Sequence, residues 1–181
     1  HLRKRNGKAY AEFLGRGVTS DAFHITQPDP SAREAGRSVA ECLQNCKVIP
    51  EEIADRVYVN AHGTATKFND VAETLALKIG FGDAAKHLRI SSTKSMSGHL
   101  IGAAAGLEMG ICCMALVDQK LPPTINLKNS DPYCDLNYIP GTAIDAKIDY
   151  AMNVSFGFGG HNVCLLIGRG DDPNLIRGSV A

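Results

Sequence analysis

The chain lacks a net charge. Its 19 basic residues face 19 acidic ones among 181, so no global field draws nucleic acid or an anionic membrane toward it. The one local basic run, Arg3, Lys4, Arg5 and Lys8, reads as solvated surface. Also absent is any C-x-x-C pair. Cys42, Cys46, Cys112, Cys113, Cys134 and Cys164 read as reduced, mostly buried thiols of a reducing compartment (cytoplasm, or an organelle such as plastid or mitochondrion), not as a disulfide framework. Internal repeats, linkers, low-complexity segments and a signal-like opening are missing too. With His at position 1, the expectation is a piece of a longer chain, or a processed one. What remains, 44% apolar and 21% charged residues, fits one soluble domain with a sizeable core.

A long uncharged apolar run is also lacking. The nearest approach, Leu100–Val117, carries Glu108 in its middle, where charge is costly in lipid, and its length is marginal for a span. It is expected as a buried helix of a soluble protein, with no membrane partner.

That helix belongs to the stretch around which the chain is organised, Ser91–Glu108, SSTKSMSGHLIGAAAGLE. A strand, Leu88–Ser92, runs into a polar turn holding Lys94, and Gly98 opens a helix with His99 in its first turn. Gly98, Gly102, Gly106 and Gly110 fall four apart. Glycine costs about 1 kcal/mol per site inside a helix, so the spacing calls for a packing reason: a smooth ridge for a closely approaching second helix. A lysine and an imidazole where a strand hands over to a helix mark the corner at which open α/β sheets hold ligands.

The rest of the chain supports that corner. Lys8–Val18 reads as a strand with a glycine-bent end, followed by a loop, Thr19–Asp29. Asp29-Pro30 has the form of a helix start, and Ala32, Ala35, Val39, Leu43 and Cys46 give that helix an apolar stripe. After a turn around Pro50–Ala54 comes a strand, Arg56–Asn60. A helix over Asp70–Ile79 follows, with Ala72, Leu75, Ala76 and Ile79 inward and Gly80 as its stop. The β-α-β-α-β-α order points to a mainly parallel layered sheet. LPPTIN (Leu121–Asn126) should run extended. Tyr150–Phe156 and Asn162–Ile167, joined by Gly157–Gly160, read as an antiparallel pair closing the sheet. The organisation is thus an opening surface segment, 1–7, one domain over 8–169, and a loosely ordered tail, 170–181.

Three polar loops follow strands and can converge on one side of such a sheet. Asn60–Thr66 carries His62, the second carries Lys94 and His99, and the third is the glycine turn at Phe158. Two histidines donating to one carbonyl oxygen can stabilise an enolate or other oxyanion. Each residue also has an ordinary reading. A lone His after a strand is commonly just hydrogen-bonded. Asp70 with Glu73 three residues on resembles a helix-capping pair. A buried Glu108 needs a partner, for which Lys94 is the nearest candidate. His62, His99 and His161 could be imagined around zinc, but no pair has ligand spacing on a helix, and no metal is expected.

Taken together, NAHGTAT (Asn60–Thr66), SSTKSMSGHLIGAAAGLE (Ser91–Glu108) and SFGFGGHN (Ser155–Asn162) resemble the β-ketoacyl-[acyl-carrier-protein] synthases, elongating condensing enzymes of the thiolase fold. LPPTINL (Leu121–Leu127) and TSDAFHIT (Thr19–Thr26) also fit, in the same order and at matching intervals. The resemblance implies an α/β thiolase-like layered fold, here its C-terminal half, with a five-stranded mixed sheet covered by helices on both faces. It implies that His62 and His99 bind the malonyl thioester carbonyl and stabilise the enolate formed on decarboxylation. Lys94 would order the site electrostatically, with Asp70, Glu73 and Glu108 as the acidic network around it. Thr64 and Thr66 would hydrogen-bond a phosphopantetheine arm, and Phe158 would be the gating aromatic whose N–H joins the oxyanion hole. Implied partners are acyl carrier protein, malonyl and acyl thioesters, the N-terminal half of the same enzyme and a second copy in a homodimer.

The departures are specific. The family's nucleophile is a cysteine in a small-residue elbow of the N-terminal half, and none of the six cysteines here lies in such an elbow. Lys67-Phe68-Asn69 replaces a more usual proline-and-glycine run, and His161 stands where many relatives have threonine. Two other classes therefore stay open: a non-catalytic, chain-length-factor-like partner subunit, and a bare dimerising scaffold.

Overall fold

A computed structural model describes residues 2–5 and 7–170. The tail expected at 170–181 lies, Gly170 aside, outside the described residues, as do His1 and Asn6 of the opening segment.

Alternation along the strands builds two cores. In β2 (Val57–Asn60), Val57 and Val59 face one way and Tyr58 the other, and all three are fully buried. β6 (Tyr150–Gly157) and β7 (His161–Arg169) repeat this: Tyr150, Met152, Cys164 and Leu166 join Val57 and Val59, whereas Ala151 and Ile167 join Tyr58. The first face is covered by α1 (Arg33–Asn45) and α3 (Asn69–Phe81), the second by α5 (Ala104–Asp118). The chain thus has the expected helices on both faces of a five-stranded mixed sheet.

The strand order is β1-β7-β6-β2-β3, with β1 at Ala11–Ser20 and β3 at Arg89–Ser91. β2 runs parallel to both β3 and β6, while β6, β7 and β1 pair antiparallel. The β-α-β rhythm alone overstates the parallel share, because the β6–β7 hairpin enters between β1 and β2. Short elements complete the chain: α2 (Pro50–Ile53), α4 (Lys94–Ser97), and an antiparallel pair of β4 (Lys120–Leu121) with β5 (Ile144–Asp145).

The helices correct several sequence expectations. The predicted stripe of α1 is buried throughout, but the helix starts at Arg33, behind Ala32 in the left-handed region at φ 50°. Asp29 instead closes a local turn, accepting the Ser31 N–H at 2.9 Å. α3 runs past Gly80 to Phe81 and ends at Gly82, whose φ of 57° suits glycine. Leu77 and Phe81 fill its buried side, and Leu75 and Ile79 are partly exposed. Gly80 is a contact point, not a stop. A Cβ there would come within 2.3 Å of the Val39 side chain on α1, and one at Gly36 within 2.5 Å of Ile79. The two helices approach closely because both positions lack a side chain.

The glycine-ridge helix also starts later than expected. Gly98 caps α4, His99 and Leu100 form a loop, and a 3-10 turn, Ile101–Ala103, leads into α5. His99 therefore precedes the helix. Ala104, Glu108, Cys112, Ala115 and Leu116 make the single buried stripe of α5. The expectation of a deeply buried helix is not met: only 28% of Ile101–Asp118 is buried, although by length and composition that segment could cross a membrane. A Cβ added at Gly102, Gly106 or Gly110 would meet nothing within 4 Å, so the ridge is bare among the described residues.

Candidate active site

Parallel pairing of β2 and β3 sends both strands out of the sheet on the same side. The continuation of β2 carries Ala61–Thr66, and that of β3 carries Ser92–Lys94. Hydrogen bonds stitch the two together: the Ala61 N–H donates to the Ser91 carbonyl at 2.9 Å, and the Ser92 hydroxyl to the Gly63 carbonyl at 2.7 Å. Gly63 sits at φ +37°, and a Cβ on it would lie 2.4 Å from that of Ser92. The loop holding His62 therefore packs so closely on Ser92 that position 63 has no room for a side chain.

Glu73 fixes that loop from below. Its two carboxylate oxygens accept the backbone N–H groups of His62 (2.7 Å) and Gly63 (2.8 Å). The capping pair expected of Asp70 and Glu73 does not form, since α3 has no side-chain cap. Asp70 takes the Asn69 amide at 3.1 Å. Burial pushes the Glu73 carboxyl up to about 7, working against the two N–H bonds that favour its charge.

The two histidines meet. Their ring centroids lie 5.4 Å apart, edge to face at 86°, and the Phe156 ring packs 5.8 Å from His62. Burial, and after it the positive charge of Lys94, holds His62 down to about 3, so its imidazole is neutral at neutral pH. His99 is exposed, and its Nδ1 accepts the Ile101 N–H at 3.0 Å. With Nδ1 an acceptor, the neutral ring carries its proton on Nε2 and offers it as a donor.

Beneath them Lys94 and Glu108, both buried, form an ion pair between the start of α4 and α5. The partner that Glu108 required is thus Lys94. Thr64 and Thr66 lie on the outward part of the His62 loop. Ala65 between them takes φ 56°, which draws the hydroxyls to 3.0 Å. His99, Lys94, Thr64 and Thr66 line one cavity of about 990 Å³, whose far wall is formed by residues from Thr124 to Pro140.

Phe158 lies outside this cluster. It is 78% exposed at the tip of the β6–β7 turn, which is tied to the preceding loop by the Gly159 N–H donating to the Ile25 carbonyl at 2.7 Å. His161 is likewise exposed, and no three His, Cys, Asp or Glu side chains group around a metal position among the described residues.

All six cysteines are free thiols. Contact with neighbouring thiols raises Cys42 and Cys46, and burial raises Cys112, all far above the usual range. None is placed to act as a thiolate nucleophile.

Three supporting residues escaped the sequence reading. Asn60, at the end of β2, accepts the Thr93 hydroxyl at 3.1 Å and donates to the Glu108 carbonyl. Asn153, on β6, donates to the Ala105 carbonyl. The signal was an amide at an inward position of each apolar strand, VYVN and AMNV. Phe156, which touches His62, is one alternation away from the aromatic singled out.

Residues 10–128 match the family described as "Beta-ketoacyl synthase, C-terminal domain". A 3-oxoacyl-[acyl-carrier-protein] synthase 2 from Synechocystis sp. is 48% identical over 161 residues, covering 89% of this chain and 38% of the relative. The synthase of the same name from Coxiella burnetii is 46% identical over 169 residues, covering 93% and 40%. Among solved structures, a type II polyketide ketosynthase in complex with its acyl-carrier protein superposes with a TM-score of 0.90 at 32% identity, covering 94% of this chain and 41% of that one. A β-ketoacyl synthase from Burkholderia phymatum gives 0.85 at 38%, covering 93% and 40%. The chain thus spans about two fifths of the length of these relatives.

Proposed function

This chain belongs to the β-ketoacyl synthase family, as its C-terminal domain with the thiolase-like fold, and we propose that it supplies the malonyl-handling side of a condensing enzyme. In this reading a longer protein holds an acyl group as a thioester on a cysteine of its N-terminal half. Malonyl-carrier protein enters the cavity through its phosphopantetheine arm, which Thr64 and Thr66 hydrogen-bond. His62, neutral, and His99, through Nε2, each donate one N–H to the thioester carbonyl. Loss of CO₂ leaves an enolate whose oxygen these donors stabilise. Its α-carbon attacks the acyl carbonyl, forming the new C–C bond and expelling the cysteine thiolate.

The observation that carries the reading is the edge-to-face pair of histidines, one buried and neutral, one with its Nδ1 already occupied. Lys94 and Glu108 hold charge beneath them, and Phe158 would gate the acyl side. No resident metal or cofactor enters the chemistry. Six unpaired thiols support a reducing setting, cytoplasm or organelle, and the bare α5 ridge supports assembly with the N-terminal half and, in turn, a homodimer. A chain-length-factor-like partner is favoured only by the lack of an activated thiol in this chain; a cysteine in an upstream elbow would reject it.

The test is His99→Ala in the protein carrying both halves. The expected result is loss of malonyl decarboxylation with cysteine acylation retained. Loss of acylation instead would move His99 to nucleophile activation and refute the assignment. This chain alone, given acyl- and malonyl-carrier protein, is expected to make no β-ketoacyl product.

A further inference from the structure

His62 and His99 are oriented by different means. The Nδ1 of His99 accepts the Ile101 N–H at 3.0 Å, and such a bond sets both the tautomer and the turn of an imidazole. His62 is held through its main chain, by the N–H that Glu73 accepts at 2.7 Å. Among the described residues no hydrogen bond reaches its ring, and the torsion that turns an imidazole has a broad, two-fold profile. Packing is what remains to orient it. Two rings meet that of His62: His99 at 5.4 Å and 86°, and Phe156 at 5.8 Å and 60°.

Of these two, Phe156 is the better anchored. His99 lies exposed in the loop before α5, whereas Phe156 is half-buried on β6. Its ring packs against the main core and against four buried alanines, Ala32 and Ala35 at the start of α1 and Ala72 and Ala76 on α3. Methyl side chains at those positions leave the space that the phenyl ring fills. Because α3 also carries Glu73, the main chain and the ring of His62 are steadied from one bed.

We infer that Phe156 is the positioning residue for His62: seated on the alanines, its ring holds the imidazole at the angle from which its N–H meets the thioester carbonyl. The inference rests on the function proposed above and adds what turns the histidine whose ring makes no hydrogen bond among the described residues.

The experiment is a double-mutant cycle in the protein carrying both halves, with CO₂ release from malonyl-carrier protein followed to saturation. Phe156→Leu keeps an apolar side chain and removes the ring; Phe156→Met does the same should the leucine variant fail to fold. The expected result is a kcat about tenfold lower, within the range that a misplaced reacting group costs, with KM unchanged and cysteine acylation retained. On a His62→Ala background, loss of the Phe156 ring should cost no further rate, since a residue that acts through His62 is silent once His62 is gone. Equal fold-losses on both backgrounds would leave Phe156 a structural part of the core and overturn the inference. An unchanged kcat or a rise in KM alone overturns it too, as does lost acylation, which would put Phe156 on the acyl side with Phe158. Undiminished decarboxylation by His62→Ala itself would overturn the function proposed above.

Discussion

Replacing Glu73 by Gln isolates the one carboxyl on which the His62 loop rests. In the folded chain this group is pushed up to about 7 from 4.5, chiefly by burial. Below about pH 4.5 it is protonated whether the chain is folded or not, and above about 7 it is ionised in both. Between those limits only the folded chain holds the proton. Folding then takes up a proton, and stability rises as pH falls through the window. The size of the shift corresponds to about 3 kcal/mol between pH 8 and pH 4. A plain pH profile conceals this. His62, held down to about 3 from 6.5, refuses a proton that the unfolded chain accepts, giving the opposite slope between about 3 and 6.5. The informative quantity is therefore wild type minus Glu73→Gln, measured by urea unfolding of the chain at several pH values. Losing one acceptor for the His62 and Gly63 N–H groups shifts that difference by a constant. The wild type should gain on the variant by about 3 kcal/mol toward acid. A flat difference, or one falling toward acid, refutes the reasoning: the two backbone N–H bonds would then fully offset burial.

Other predictions follow from contacts already described. Glu108→Ala should cost about 3–5 kcal/mol by stranding Lys94, while Lys94→Met with Glu108→Leu should cost far less. The second carboxylate oxygen of Glu108 has no partner among the described residues, so the pair is a poor source of net stability; equal losses in single and double variants, by denaturant midpoint, would contradict this. Gly17→Ala should cost about 3 kcal/mol or more, since its Cβ would sit 1.8 Å from the Ser38 carbonyl oxygen of α1; a wild-type melting curve would reject the close packing of β1 on α1. Gly106→Ala should stabilise this chain by about 1 kcal/mol, because its Cβ meets nothing. In the protein carrying both halves, Gly106→Leu should destabilise; if it does not, the ridge faces solvent.

Much of this was legible in the sequence where a short-range pattern and a long-range role coincide. The α1 stripe and the alternation of β2 and β6 follow from periodicity, and the pairing of His62 with His99 follows from parallel strands with loops at one end. The capping reading of Glu73 failed because its spacing from Asp70 matches a capping box, and nothing local tells a carboxylate that caps its own helix from one that reaches into another loop. Leu75 and Ile79 were placed inward because helical spacing ignores the glycines that bring α1 against α3 and rotate Leu77 and Phe81 into the core. α5 reads as fully buried because its composition is apolar all round, yet the described residues cover only one stripe. The missing cover is a tertiary fact that no window of sequence contains.

The strand order has a consequence for how the chain is made. β1 precedes every other strand of this sheet, yet among the described residues its only sheet neighbour is β7, and the contact between Asp21 and Asn162 spans 141 positions. At about 5–20 residues per second, β1 waits on the order of 10–30 s before β7, its partner in this sheet, has been made. It carries half-exposed Phe13 and Val18 even in the finished structure. During that interval α1 can shield only one of its faces. Synthesis speed and chaperone supply should therefore govern the yield of this domain more than its final stability does.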